Sequence, residues 1–115
     1  MRIHQRRVGD VLVLIVDGDI TMGAGSATRL ADRIRSLLQQ GHRRLLLDMA
    51  RVRYVDSAGL GELIQCSAAA RTRGGTLKLL NVSRRLSDLL VVTRLVTALE
   101  CVDGDVDAIA SFDGI

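Results

Sequence analysis

Continuous apolar runs alternate along the chain with segments in which apolar residues recur every three or four positions. The run at residues 11–16 has six apolar residues in succession and follows the turn signal Gly9-Asp10. This pattern predicts a β-hairpin whose second strand is apolar on both faces and therefore central in a sheet. Shorter runs predict further strands at residues 45–47 and 76–82, with a last edge strand at 99–102.

Three segments have the apolar spacing of amphipathic helices. The first runs from residue 26 to residue 40, with Ser26 as its predicted N-cap and Gly41 as the residue that ends it. The third begins after Ser83, its predicted cap, and a short terminal helix is predicted at residues 105–112. The second ends at Gly74-Gly75 and has one predicted apolar stripe, formed by Leu60, Leu63, Ile64, Ser67 and Ala68.

The alternation of strands and helices indicates the fold class. Strands separated by helices at this spacing are joined by crossover connections and run parallel to each other. The chain has no proline, linker, low-complexity tract or internal repeat, and its 115 residues are enough for one domain only. We therefore predict a single α/β domain over residues 1–115, with a small mixed sheet of four to five strands.

Composition narrows the classes of partner. Only 2% of the residues are aromatic, which argues against a surface that stacks nucleic-acid bases. The 16 basic residues are scattered in ones and twos rather than gathered into a basic arm, and the net charge is +3. Residues 95–115 carry five acidic groups and no basic group. We predict no direct nucleic-acid binding, and the basic faces could at most steer an acidic protein partner.

Cysteine and histidine usage gives no sign of a metal or redox site. Cys66 and Cys101 are far apart, as are His4 and His42, and neither cysteine belongs to a CxxC motif. We predict a buried, reduced thiol at both cysteines, with no metal and no cofactor. No apolar run is long enough for a membrane span and no signal-peptide pattern is present, which predicts a cytoplasmic protein without membrane insertion.

Ligands of open α/β sheets bind where strands end and helices begin, and such junctions are predicted at residues 17–21, 54–61 and 81–83. The middle junction is the most informative, because Asp56-Ser57 precedes two glycines and an apolar helical stripe. Ser57 is therefore expected at a helix N-terminus, where free N–H groups favour a phosphate or another anion. In most proteins a serine at such a junction is only an N-cap, so its position alone does not establish a site.

The motifs of common catalytic sites are missing from the sequence. The G-x-S-x-G motif of serine hydrolases is not formed, because Val55 stands two residues before Ser57. The phosphate-loop motif G-x-x-x-x-G-K-[ST] does not occur either. A nucleophilic serine needs a base, and only His4 or His42 could supply an imidazole. We predict that the protein is not an enzyme.

The segment 47–61 closely resembles the signature of STAS domains, the family that includes the anti-sigma factor antagonists of bacteria. The motif consists of an apolar strand, an Asp, a spacer, and then Asp56-Ser57-Ala58-Gly59-Leu60-Gly61 at the start of a helix. The similarity in motifs and element order extends over residues 8–112.

This resemblance implies a fold with helices mainly on one face of the sheet and a function as a switch. Such proteins bind an anti-sigma factor, commonly a GHKL-type serine kinase, and so release a sigma factor. The kinase phosphorylates the serine of the D-S-x-G-L motif, which breaks the complex, and a metal-dependent serine phosphatase restores it. In this sequence the phosphoacceptor is then Ser57, and Ala58 leaves it without an adjacent competitor.

The partner surface is expected around Ser57. Junctions that follow parallel strands emerge at the same end of a sheet, so the predicted junctions at 17–21 and 54–61 belong to one surface. The protein itself is expected to be a monomer or a weak dimer. The residues predicted to bind the partner are Asp19, Thr21, Asp56, Ser57, Ala58, Gly59 and Glu62.

Two departures from the family pattern concern this surface. Many members have an Asp where this chain has Thr21, so Asp19 would have to supply the carboxylate. The segment Gly23-Ala24-Gly25 is also looser than the usual entry to the first helix. STAS domains serve in addition as regulatory or scaffold modules of lipid-transport complexes, anion transporters and stress-sensing assemblies, which is the alternative function. A neighbouring gene for a serine kinase or phosphatase would favour the sigma circuit.

Overall fold

In the computed structural model the chain opens with a hairpin of β1 (Arg2–Val8) and β2 (Val11–Asp17). The two strands are antiparallel, with Val8 opposite Val11, and the turn between them uses Gly9 at a φ of 62°. This backbone conformation carries little cost for glycine, which has no Cβ. β2 pairs with β3 on its other side, which confirms the predicted hairpin and the central place of its second strand.

The remaining elements alternate as predicted. The structure describes residues 1–23, 25–92, 99–102, 109–110 and 112, so most of the helix predicted at 105–112 lies outside the described residues. The five strands follow the order β1-β2-β3-β4-β5, and all neighbours after the hairpin are parallel. The fold is thus a single small α/β domain with a five-stranded mixed sheet. The other elements are α1 (Ser26–Gln39), β3 (Arg44–Arg51), α2 (Ser57–Thr72), β4 (Thr76–Leu80), α3 (Arg84–Val92) and β5 (Glu100–Val102).

All three described helices pack on one face of the sheet. Alternate residues of each strand point to this face, so Leu14 of β2 and Leu47 of β3 are fully buried there. The helices contribute one apolar stripe each, and α1 packs against α2. This arrangement is the one that the family resemblance implied. The helical side of the core includes Leu30, Ile34, Leu38, Leu60, Leu63, Leu86 and Leu90.

The other face of the sheet has its own small core. Val13 and Leu46 are buried on this face, and Ile109 and Phe112, near the chain end, pack against them. Lys78 of β4 is buried on the same face, with its Nζ 4.6 Å from the centre of the Phe112 ring and 2.8 Å from Glu100 Oε2. The ring and the carboxylate together offset the cost of burying the ammonium group.

β4 ends at Leu80, two residues before the predicted end of the strand, and three further details of the strands and helices differ from the sequence predictions. β3 continues through Asp48 to Arg51, because Asp48 lies on the less covered face and its carboxylate accepts hydrogen bonds from Ala50 N and Asn81 Nδ2. The N-cap of α1 is Gly25 rather than Ser26, which is the first helical residue. The predicted stripe of α2 is wrong at Ala68, which is exposed.

The helix ends at the other positions agree with the sequence. Gly41 follows α1 with a φ of 101°, and its N–H bonds to Leu38 O, as in a helix that ends on a left-handed glycine. Gly74 likewise follows α2 at a φ of 77°. Ser83 caps α3 by accepting a hydrogen bond of 3.2 Å from Leu86 N.

The prediction of two buried thiols is only half right. Cys66 lies on the buried face of α2, where desolvation raises the pKa of its thiol to about 11. It therefore stays protonated near neutral pH and behaves as a small apolar side chain. Cys101, in contrast, is exposed, because the short strand β5 stands at the edge of the sheet.

Substitution of Phe112 tests the role of this ring as the cover of the second face. Phe112→Ala should lower the free energy of unfolding by about 3 kcal/mol, because it leaves a cavity over the sheet and uncovers Lys78. Val91→Ala is the control, since Val91 is 62% exposed and its truncation should change stability by less than about 0.5 kcal/mol. Urea denaturation followed by circular dichroism measures both. Equal stabilities of the two variants would contradict a covering role.

Candidate functional site

The segments that follow β2 and β3 meet at one end of the sheet. Both strands are parallel, and beyond them Ile20 and Val55 form an isolated parallel bridge. Ile20 N donates to Tyr54 O over 3.0 Å, and Ile20 O accepts from Asp56 N over 3.2 Å. The junctions at residues 17–21 and 54–61 are therefore joined backbone to backbone, as the parallel arrangement requires.

The carboxylate of Asp56 joins the two junctions a second time. Its Oδ1 accepts a hydrogen bond of 2.6 Å from Gly59 N, which makes Asp56 the N-cap of α2. Its Oδ2 accepts a bond of 3.0 Å from Met22 N, 34 residues earlier in the chain. One side chain thus satisfies a free N–H group of the helix and fixes the β2–α1 loop beside it. Both oxygens are already engaged within the domain.

From the sequence, Ser57 could have been the N-cap of α2, but Asp56 occupies that position. Ser57 is the first residue of α2, and its side chain is exposed. Its hydroxyl forms no hydrogen bond with any residue that the structure describes, so it is available to a reagent from solution. The hydroxyl also stands at the positive end of a 16-residue helix, which stabilises added negative charge.

Gly59 allows the two junctions to approach closely. A Cβ at this position would lie 2.5 Å from Ile20 O and 3.0 Å from Asp56 Oδ1, which no real side chain tolerates. A glycine is therefore required for steric reasons, although its own backbone is helical. Gly61, in the same helix, has nothing within 4 Å of the corresponding point.

The β2–α1 loop is organised by the buried hydroxyl of Ser26. Ser26 Oγ accepts a hydrogen bond of 2.8 Å from Thr21 N and donates one of 2.7 Å to Asp19 O. The side chain of Asp19 is left exposed beside this loop, whereas Thr21 is partly buried. The predicted looseness of residues 23–25 falls in part on Ala24, which lies outside the described residues.

The structure therefore separates the predicted site residues into two groups. Asp19, Ser57 and Ala58 are exposed at the same end of the sheet, where a partner could contact their side chains. Gly59 is buried, and Glu62 is partly buried and directed toward α1, where its Oε2 lies 3.5 Å from an Arg35 guanidinium nitrogen. Gly59 and Glu62, like Asp56, support the site through contacts inside the domain.

Comparison with known proteins agrees with this geometry. The family model described as Mlab, STAS domain, matches residues 3–100. The chain belongs to the STAS domain family. The matched segment contains both junctions and most of the sheet, leaving out Arg2 of β1 and the last two residues of β5, and this family is regulatory rather than enzymatic.

Solved structures share the fold of this STAS domain at low sequence identity. The unphosphorylated anti-sigma factor antagonist SpoIIAA is 18% identical with a TM-score of 0.75, over 99% of this chain and 100% of that chain. An anti-sigma factor antagonist from Mycobacterium paratuberculosis is 18% identical with a TM-score of 0.77, over 96% and 92%. The murine anion transporter Slc26a9 is 14% identical with a TM-score of 0.77, over 96% of this chain and 19% of that chain. SpoIIAA of Bacillus has also been solved in a phosphorylated form, with a TM-score of 0.73, 18% identity, and coverage of 96% and 99%.

The STAS domain has a further surface that the sequence analysis did not identify. A groove of about 720 Å³ runs between α2 and α3 and begins beside Ser57; we call it the α2–α3 groove. Tyr54, Leu89 and Val92 are exposed apolar residues along it. Leu89 follows the same apolar spacing in α3 as the buried Leu86 and Leu90, so its exposure depends on how α3 is rotated, and the groove cannot be identified from the sequence. Its other lining residues are Met49, Val52, Arg53, Val55, Leu60, Gly61, Ile64, Ser83, Arg85, Leu86 and Asp88.

Metal and membrane sites were also searched. Among the described residues no group of three or more His, Cys, Asp or Glu side chains could hold a metal ion. Within the same described part of the chain, no helix is long and apolar enough to cross a bilayer.

A matched pair of glycine substitutions tests the close approach of the two junctions. Gly61→Ala should stabilise the STAS domain by roughly 0.5–1 kcal/mol, because alanine is the better helix former and there is room for its Cβ. Gly59→Ala should instead destabilise it by about 1–3 kcal/mol, because its Cβ would force Ile20 O away and weaken its bond with Asp56 N. Urea denaturation gives both values. If Gly59→Ala stabilised the domain as Gly61→Ala does, the close approach at Gly59 would not be needed.

Proposed function

We propose that the protein is an anti-sigma factor antagonist controlled by phosphorylation of Ser57. In its unphosphorylated form it binds an anti-sigma factor that is also a GHKL-type serine kinase, and the sigma factor is released. The kinase transfers phosphate to Ser57 and the complex dissociates, and a metal-dependent serine phosphatase restores the binding form. The protein itself catalyses no step and needs no cofactor.

The observation that carries this proposal is the free hydroxyl of Ser57. The neighbouring Asp56 caps α2 with its own side chain, so the serine is not engaged by the helix. Ser57, Asp19 and Ala58 are all exposed at the end of the sheet where partner surfaces of α/β folds lie. The similarity to anti-sigma factor antagonists supports the same reading of the D-S-x-G-L motif.

The charge balance at this position suits a switch. A phosphoryl group adds a charge of about −1.5 to −2 and three acceptor oxygens. At the first residue of α2 this charge costs the fold little, because the helix dipole stabilises it. In a protein interface that has closed over a neutral hydroxyl, the same charge must be desolvated beside the Asp56 carboxylate. A cost of about 3–4 kcal/mol there would weaken binding several hundred-fold.

Phosphorylation of Ser57 is the direct test. Incubation with the cognate kinase and ATP should add one phosphate, mapped to Ser57 by mass spectrometry, and Ser57→Ala should accept none. Ser57→Asp should keep stability within about 1 kcal/mol, because an acidic residue is favourable in the first helical turn. It should nevertheless bind the kinase more weakly than Ser57→Ala does, because only aspartate adds charge.

Thermal melts and binding titrations of the two variants separate folding from binding. Stoichiometric phosphate on another residue, or unchanged phosphorylation of Ser57→Ala, would refute the assignment. If Ser57→Asp unfolded, its loss of binding would be due to the loss of the fold and not to the added charge.

The footprint of the kinase is expected to include the β2–α1 loop. Asp19→Lys should reduce affinity by at least about 1–2 kcal/mol, as for a direct interface contact. Arg43→Glu is the control at the opposite end of β3, where charge acts only at long range, so it should change mainly the association rate. Surface plasmon resonance gives the association rate, the dissociation rate and hence the affinity of each variant. A footprint, mapped by amide protection, on Arg43 and Arg44 that leaves residues 19–21 unprotected would contradict the proposal.

The alternative is a regulatory or scaffold module without sigma control. Two observations support this alternative function: the matching family model is described as Mlab, and the murine anion transporter Slc26a9 contains the same fold. A neighbouring gene for a lipid-transport complex, together with absence of phosphate transfer from any adjacent kinase, would support this function instead.

A further inference from the structure

The α2–α3 groove exposes more apolar surface than the fold itself needs. Leu60 and Leu86 form a buried floor, and Tyr54, Leu89 and Val92 stand around it with 50%, 39% and 79% of their surface accessible. These three are among only five large apolar side chains that are exposed in the described part of the chain. Contiguous exposed apolar patches of this kind are typical of binding surfaces.

The margin of the groove is positively charged. Arg53 and Arg85 line it, both are exposed, and neither forms an ion pair with a described residue. Asp88 also lines the groove, but an Arg84 nitrogen lies 4.0 Å from its carboxylate and offsets its charge. A partner with carboxylates at the edges of an apolar surface would therefore complement this margin, and a partner with basic edges would not.

The groove is continuous with the phosphorylation site. Ser57 lines the same groove as Arg53 and Arg85, so a kinase that reaches the Ser57 hydroxyl must place part of its surface against it. Phosphate on Ser57 would add a dianion at one end of this surface. The dianion would repel carboxylates of the partner and compete with them for the two arginines.

We infer that the α2–α3 groove is the docking site for an amphipathic helix of the partner kinase, with its apolar side in the groove and acidic residues against Arg53 and Arg85. The groove is flanked by two helices and only partly enclosed, which suits a helix better than a small ligand. The inference rests on the proposed function, because it takes the kinase that phosphorylates Ser57 as the partner.

Adjacent valines of α3 provide a matched test. Val92 lines the groove and Val91 does not, although both are exposed and neither is part of the core. In titrations of the purified kinase, Val92→Asp should weaken binding about tenfold or more, as at the centre of an interface. Val91→Asp should change the affinity by less than about twofold, because most surface substitutions outside an interface have little effect. Thermal melts of both variants confirm that the fold is kept.

A second pair tests the charge at the margin. Arg85→Glu should weaken kinase binding several-fold. Arg7→Glu makes the same change in net charge in β1, opposite Leu12 near the start of β2 and far from Ser57, and should alter only the salt-dependent association rate. Amides of α3 should also become protected from hydrogen exchange when the kinase binds.

The possible outcomes distinguish this inference from the proposed function. If the kinase binds the native protein and phosphorylates Ser57 but Val91→Asp and Val92→Asp bind alike, the docking site is refuted and the proposed function stands. If the kinase neither binds nor phosphorylates the native protein, both are refuted. If Val92→Asp instead breaks a dimer of the free protein in sedimentation, the groove belongs to a second copy and the inference is wrong.

Discussion

The double hydrogen bond of the Asp56 carboxylate is the interaction on which the functional end of the domain depends. With one oxygen on Gly59 N and the other on Met22 N, it starts α2 and holds the β2–α1 loop against it. Because the aspartate caps the helix, Ser57 is displaced to the first helical position, and its hydroxyl is left free. In a helix capped by serine, that hydroxyl would accept an N–H bond and be less available.

This arrangement also separates the side chains that stabilise the domain from the exposed serine on which the proposed switch rests. Asp56 and Gly59 are fixed by contacts with the backbone of neighbouring segments, whereas the side chains of Ser57 and Asp19 are exposed. A charge added at the serine is consequently stabilised by the helix end in the free protein and opposed in a closed interface. Under the proposed function, a phosphate on Ser57 would change partner affinity in this way without changing the fold. The second face of the sheet, where Phe112 covers Lys78, takes no part in this site.

Local patterns in the sequence were sufficient for most of the fold. Six apolar residues in succession identified β2 as a central strand, and Gly41 and Ser83 marked helix ends that the structure confirms. Two of the wrong predictions have a common physical origin. The apolar run predicts a strand that stops at residue 47, before the polar Asp48, and the polar side chain of Ser26 predicts a cap. In the structure, hydrogen bonds to Asn81 and to Thr21 satisfy these two side chains inside the strand and the helix. Such bonds leave no periodic signal.

The amino-acid sequence by itself determined the order of the elements, the mixed sheet and the position of Ser57 at the start of a helix, because hydrophobic periodicity and glycine conformations act over a few neighbouring residues. Only the tertiary structure decided which side chain caps that helix and which apolar residues stay exposed. The bond from Asp56 to Met22 spans 34 residues, and the exposure of Leu89 depends on how α3 is rotated against the sheet. Both follow from the parallel register of β2 and β3 and from how the helices pack on it, and these depend on the whole chain at once.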